Sequence, residues 1–256
     1  MRNLGFRPFL TLALKQAKRV FKLWKQMLLP PIITTSLYFV IFGQLLDIKT
    51  DNLQHFSYLQ FIAPGLIMMV IINSAYLNTA FSFFSEKFQR SIEELLTAPL
   101  HPLALIFGFQ MGSLLRALIA GAAVLLIAEQ FAHMHVQHPW ILLLCFLLTA
   151  NLFSLLGFIN AFYAKNFDAL SVIPNFVLTP LIYLSGIFYS LSALPHFWQI
   201  ISHVNPLTHL TNAFRYSMLG YSDLPITPTL EVIVGLNILA LWAVWYMIRQ
   251  PKYATL

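Results

Sequence analysis

Six long stretches of this 256-residue chain exclude charge almost completely. They run approximately over 27–46, 58–85, 103–128, 140–164, 169–189 and 229–248, and Arg116 is the one formal charge well inside any of them. A charged side chain at mid-bilayer costs about 3 kcal/mol even on the lenient insertion scale, and about 20 apolar residues cross the hydrocarbon as a helix. The pattern therefore predicts an all-α polytopic membrane protein with six transmembrane helices, in one domain over 1–256. Composition agrees, at 59% hydrophobic and 9% charged, where soluble domains carry roughly a quarter charged residues. The net charge of +6 does not point to nucleic acid, because the basic residues sit at the ends of apolar stretches instead of on a soluble face. The single cysteine, Cys145, excludes an internal disulfide and a cysteine-built metal cluster.

Orientation follows from the distribution of Lys and Arg. Arg2, Arg7, Lys15, Lys18, Arg19, Lys22 and Lys25 precede the first stretch, and Lys87, Arg90, Lys165, Arg249 and Lys252 fall on the same side of a six-span arrangement. Only Lys49 and Arg215 fall on the other. Both termini are thus predicted to face the cytoplasm. Within 8–26, Leu10, Ala13, Leu14, Ala17, Val20, Phe21 and Trp24 share one helical stripe, while Lys15, Lys18, Arg19, Lys22 and Lys25 share another. This is the pattern of an amphipathic helix lying in the membrane interface, where each basic residue gains about 1 kcal/mol from anionic headgroups.

The loop after the second stretch, SEKFQRSIEELLTAPLHP, reads as a short helix. Glu86 with Arg90, and Arg90 with Glu94, are spaced for i,i+4 pairing, and Phe88, Ile92, Leu95 and Leu96 form one apolar stripe that Pro99 ends. Its three acidic residues disfavour an anionic membrane surface. A groove on a cytoplasmic partner is the better cover. Arg116 shares a face with Gly108, Gly112 and Ala120, and small residues mark close helix packing, so it is expected to point into protein. Two roles fit it: pairing with carbonyls, an Asn or a carboxylate of another helix, or contact with an anion. Asn73, Ser74, Asn78 and Thr79 in the second stretch, and Asn175, Thr179 and Tyr183 in the fifth, are expected to face other helices. Pro174 and Pro180 are expected to kink the fifth. His133, His135 and His138, with Glu129 nearby, lack the ligand spacing of a zinc site, so no metal is assigned. No GxxxxGK[ST] phosphate loop, G-x-S-x-G elbow or HExxH motif occurs. The chain is read as a non-enzyme, with no cofactor of its own.

Five segments carry a resemblance over nearly the whole chain: LLPPIITTSLYFVIFG at 28–43, FSYLQFIAPGLIMM at 56–69, FFSEKFQRSIEELLTAPL at 83–100, VIPNFVLTPLIYLSGIFYSLSALP at 172–195 and NPLTHLTNAFRYSMLG at 205–220. With these the sequence resembles the membrane permeases of type-2 ABC exporters, near the lipo-oligosaccharide and drug export permeases of the bacterial inner membrane. The resemblance implies that 86–98 is a coupling helix seated on a separate ATP-binding subunit that carries ATP and Mg. Contact with that subunit falls to Glu86, Lys87, Phe88, Arg90, Ile92, Glu93, Glu94, Leu95 and Leu96. It further implies a homodimer of this chain in the inner membrane. The second and fifth spans would line a central cleft, which makes Asn73, Asn78, Arg116, Asn175, Thr179 and Tyr183 the expected substrate pathway, and 190–228 would form a re-entrant outer element. The implied activity is ATP-driven export of an amphipathic substrate, such as a lipid, glycolipid, polysaccharide or drug, by alternating access. The competing expectation is a secondary transporter or lipid-handling membrane protein, against which stands the lack of carboxylates well inside the spans.

Overall fold

The structure, a computed structural model, describes residues 6–45, 56–91, 101–132 and 134–249. Helix α1 (Phe6–Lys22) is followed at once by α2 (Trp24–Leu45). Three long helices come next: α3 (Tyr58–Phe88), α4 (Pro102–Ala132) and α5 (Pro139–Tyr163). A broken segment consists of α6 (Phe167–Ile173), a π-helical turn (Pro174–Leu178) and α7 (Thr179–Tyr183). Then come a 3-10 turn (Leu191–Ala193), α8 (His196–Val204), α9 (Pro206–Leu219) and α10 (Ile226–Arg249). Among the described residues there is no strand.

Five helices, α2, α3, α4, α5 and α10, are long and apolar enough to cross a membrane. The fifth predicted stretch, 169–189, is not among them. Its helical part covers Phe167–Tyr183, roughly 25 Å at 1.5 Å per residue, against a hydrocarbon core of about 30 Å. Proline is the cause. Pro174 and Pro180 lack an N–H, and the backbone widens so that the Thr179 N–H reaches the Pro174 carbonyl, five residues back. The Thr179 hydroxyl donates to the same carbonyl at 2.9 Å. In contrast, α3 and α4 overshoot, since helices of 31 residues measure roughly 46 Å.

Helix α3 is the axis of the bundle and packs on α4, α5, α9 and α2. Ser57 and Gln60 start it with reciprocal side-chain to backbone hydrogen bonds, Gln60 N–H to Ser57 Oγ at 3.3 Å and Ser57 N–H to Gln60 Oε1 at 3.1 Å. The Gln60 amide then donates to the Ala132 carbonyl at the end of α4, 3.1 Å away. Close approach to α5 depends on Gly157, where a Cβ would stand 2.4 Å from the Tyr76 carbonyl oxygen. Buried hydroxyls and amides join the helices from inside. Asn78 donates to Ser113 Oγ at 3.1 Å, Thr79 bonds to both Ser113 and Ser154, and Gln110, Asn151 and Asn237 run in series at 2.7 and 2.9 Å. A lipid-facing helix surface cannot satisfy such groups, so each bond selects which faces meet.

Helix α1 docks along α4. Leu12 fills the space over Gly108 and Gln16 that over Gly112, so a Cβ on either glycine would lie 2.6 or 2.8 Å from the α1 side chain. The predicted apolar stripe therefore divides. Ala13 and Val20 are buried, while Leu10, Leu14, Phe21 and Trp24 remain exposed beside the basic row.

Candidate functional site: a polar cavity at the basic end of the bundle

A cavity of about 380 Å³ opens between α2, α3 and α4. From α2 it takes Gln26, Met27, Thr34, Thr35 and Tyr38, from α3 Leu66, Met69, Asn73 and Ser74, and from α4 Arg116. Its α2 wall also contains Pro30 and Pro31. Neither proline has an N–H, so the Gln26 and Met27 carbonyls lose their helical donors within the same wall. The Asn73 amide donates to the Met69 carbonyl at 2.9 Å.

Arg116 has neither a carboxylate nor a carbonyl partner among the described residues, and its Nε is shielded from solvent without an acceptor. The charged group that acts on it electrostatically is of its own sign, Arg19 of α1. Burial lowers the Arg19 guanidinium from its usual value, and Glu86 opposes that fall. Glu86 is in turn shared: it binds Lys15 at 2.5 Å and accepts from the Ser91 hydroxyl at 2.7 Å. Two cations of α1, Lys15 and Arg19, thus act on one carboxylate at the end of α3.

Arg116 lies 14 residues after the start of α4, Pro102, and 16 before its end, Ala132, near the middle of a helix that measures roughly 46 Å.

The structure brings Asn73 and Arg116 of the predicted pathway together and distributes the others. Asn78 is 1% exposed and held by Ser113 inside the bundle. Asn175 and Tyr183 are exposed on the broken segment, and Thr179 is held by the Pro174 carbonyl. Tyr183 joins an aromatic cluster with Phe188, Tyr38 and Phe42, the rings lying 5.6 to 6.1 Å apart. Thr34, Thr35 and Gln26 enter the cavity although sequence reasoning did not select them; the adjoining Pro30–Pro31 pair was the available signal. A second cavity, about 490 Å³, lies between α5, the broken segment, α9 and α10 and is almost wholly apolar, with Tyr76 and Asn160 as its polar members.

Of the residues expected at a partner contact, Glu86, Lys87 and Phe88 form the last turn of α3. The expected Glu86 to Arg90 pairing is replaced by Glu86 to Lys15, because the chain leaves the helix at Gln89 and Arg90 takes a left-handed φ of 59°. Lys87 donates to the Phe162 and Ala164 carbonyls at 2.7 and 3.1 Å, capping the end of α5. Phe88 is 66% exposed. Ile92, Glu93, Glu94, Leu95 and Leu96 lie outside the described residues, as does His133. His138 stacks on Tyr216 at 5.1 Å.

Beyond α7 the chain folds back onto α3. Arg215 of α9 is 2% exposed. It binds Asp223 at 3.1 Å, donates to the Gly186 carbonyl at 2.7 Å and lies 3.8 Å over the Phe61 ring. Asp223 also accepts from the Tyr221 and Ser190 hydroxyls. Gly186 has a φ of +79°, and a Cβ on Gly65 would meet Ile187 at 2.8 Å, so two glycines permit this close approach.

The sequence that folds into this bundle matches known proteins over most of its length. The profile of the ABC-2 type transporter matches residues 7–219. The chain belongs to that family. It is 46% identical to the inner membrane transport permease YadH of Escherichia coli (strain K12) over 239 residues, which is 93% of each chain. It is 25% identical over 236 residues to nodulation protein J of Rhizobium leguminosarum bv. viciae, covering 89% of this chain and 87% of that one. A similar likeness, 27% over 209 residues, holds for nodulation protein J of Sinorhizobium fredii (strain NBRC 101917 / NGR234). As an ABC-2 family member with several apolar helices, the chain is a multi-pass membrane protein and a membrane subunit of a transporter.

Proposed function

We propose that this ABC-2 subunit is the permease of an ATP-driven exporter that moves an amphipathic substrate outward. The observation that carries the reading is the match to a transport permease over 93% of each chain in a sequence with no phosphate-binding loop. The motor is then a separate ATP-binding subunit holding ATP and Mg, seated on the 86–98 segment. The last turn of α3 supports this: Glu86 ties it to α1 and Lys87 ties it to α5, so a push on the adjoining loop reaches three helices at once. Two copies of the chain form the working unit. The exposed apolar residues Ile33 and Leu37 on α2, and Val172 and Phe176 near the π turn, suit its interface. In this reading both termini face the cytoplasm and the Arg215 strap lies on the outer side. The sixth crossing is completed by the broken segment with 190–228 as a re-entrant outer element, and α8 presents Phe197, Trp198, Ile200 and Val204 to the outer interface.

Co-expression with candidate ATPase subunits, followed by reconstitution, tests the reading. A stable complex with ATP-dependent movement of lipid-like substrate is expected; transport by the chain alone would overturn it. Glu94→Arg combined with Leu95→Asp is expected to uncouple ATPase activity from transport while leaving insertion unchanged. Intact coupling would remove this loop from the mechanism.

A further inference from the structure

We propose that the cavity between α2, α3 and α4 is a binding site for the anionic head of an amphipathic molecule, a phosphate or carboxylate group, with Arg116 as its counter-ion. This deepens the export reading and rests on it only for the direction in which the ligand moves.

An arginine remains charged at every physiological pH. Buried without a partner it is costly, and removing it from water is tolerated where an opposite charge and hydrogen-bond acceptors replace the solvent. Arg215 in this same chain shows how a buried arginine charge is matched within the fold, with a carboxylate, a carbonyl and an aromatic face in contact while its Nε has no acceptor. Arg116 has none of these among the described residues. Instead it lines the open volume of a cavity that contains no carboxylate among the described residues, where an oxyanion would neutralise it. A phosphate or carboxylate offers the planar acceptor pair that a guanidinium fork matches.

The rest of the lining agrees in type. Thr34, Thr35, Asn73 and Ser74 supply hydroxyl and amide donors, while Leu66, Met69, Val70 and Leu77 supply an apolar wall. A polar end beside apolar walls suits a headgroup whose hydrocarbon continues into the bilayer. The volume, about 380 Å³, is within the range of small-molecule sites. The Pro30–Pro31 interruption of α2 adds two carbonyls without their usual helical donors, which can accept from hydroxyl or amine groups next to the anion.

The test measures lipid retention by native mass spectrometry. The purified full-length chain is extracted from vesicles of phosphatidylcholine doped with phosphatidylglycerol. Wild type is expected to retain phosphatidylglycerol in preference, and Arg116→Gln is expected to reduce that preference about tenfold, the equivalent of one charge-assisted bond. Arg116→Lys should keep part of it. Thr34→Glu, at an exposed rim position, should abolish retention by neutralising Arg116, and Thr34→Gln should not, which keeps the test informative if Arg116→Gln misfolds. Lys15→Gln is the control for general attraction at the basic surface and should leave the preference largely intact. Titration with inorganic phosphate separates the sources. Displacement of the lipid by phosphate shows that the oxyanion alone is recognised, and resistance to phosphate shows that the hydrocarbon is required; either supports the site. Equal retention by wild type, Arg116→Gln and Thr34→Glu, or no preference over phosphatidylcholine, overturns it. ATPase association is scored separately on the same variants. Loss of the lipid result with the partner still bound defeats the anion site alone, whereas a lipid preference in a chain that binds no ATPase defeats the export reading alone.

Discussion

Arg215 and Arg90 are two residues whose cost is met in different ways. Arg215 is buried but surrounded by Asp223, the Gly186 carbonyl and Phe61, so its charge is matched within the fold. Arg215→Met leaves Asp223 buried and unmatched, and breaking a buried pair from one side costs about 3–5 kcal/mol. A marked fall in thermal stability in detergent is expected, with Arg215→Met and Asp223→Asn together costing less than their sum. Strict additivity would show that the pair is not coupled. Arg90 is in the left-handed region at φ 59°, which costs an L residue about 1–2 kcal/mol. Arg90→Gly should therefore raise stability by about 1 kcal/mol, and Arg90→Val should lower it. Thermal unfolding of the two variants side by side checks the sign.

Glycines at two helix positions give opposite expectations because their neighbours differ. Gly157 lets α5 touch the α3 backbone, where a Cβ would meet the Tyr76 carbonyl at 2.4 Å. Gly235 of α10 has nothing within 4 Å of the added atom. Gly157→Ala should cost about 1–3 kcal/mol through overpacking that rigid backbone cannot relieve. Gly235→Ala should gain up to about 1 kcal/mol from helix propensity. Thermal stability in detergent is the readout, and equal effects would mean that the α3–α5 contact is looser than the geometry indicates. The broken α6–α7 segment belongs to this scale too. Hydropathy sees an apolar run there and predicts a span, since it sums transfer energies along the chain; it does not register that two prolines six residues apart remove helical bonds and shorten the regular structure. Docking of α1 shows the converse case. Its amphipathic stripe was legible from spacing alone, but the insertion of Leu12 and Gln16 over Gly108 and Gly112 needs the partner surface.

At the scale of the whole molecule, the homodimer proposed here predicts that Phe176→Cys, alone or with Leu37→Cys on α2, forms oxidative cross-links at the mass of two chains in native membranes. Leu239→Cys, on the exposed face of α10, should not, and cross-linking only at Leu239 would move the interface. What the sequence by itself determined is the class of molecule: charge-free runs of about 20 residues can satisfy their backbone in a bilayer only as helices, and the family segments spread over most of the chain gave the transporter assignment that the ABC-2 match bears out. It also singled out Arg116 and Asn73 as polar residues among apolar ones. Only the tertiary structure decided that these two share a cavity while Asn78 is spent on Ser113, that Glu86 serves Lys15 and not Arg90, and that Arg215 is neutralised by Asp223. The reason is physical. Burial in a membrane is a property of each segment and adds along the chain, whereas the partner of a polar group depends on which helix faces meet, and that is settled by close packing at glycines and by the hydrogen bonds that a lipid-facing surface cannot supply.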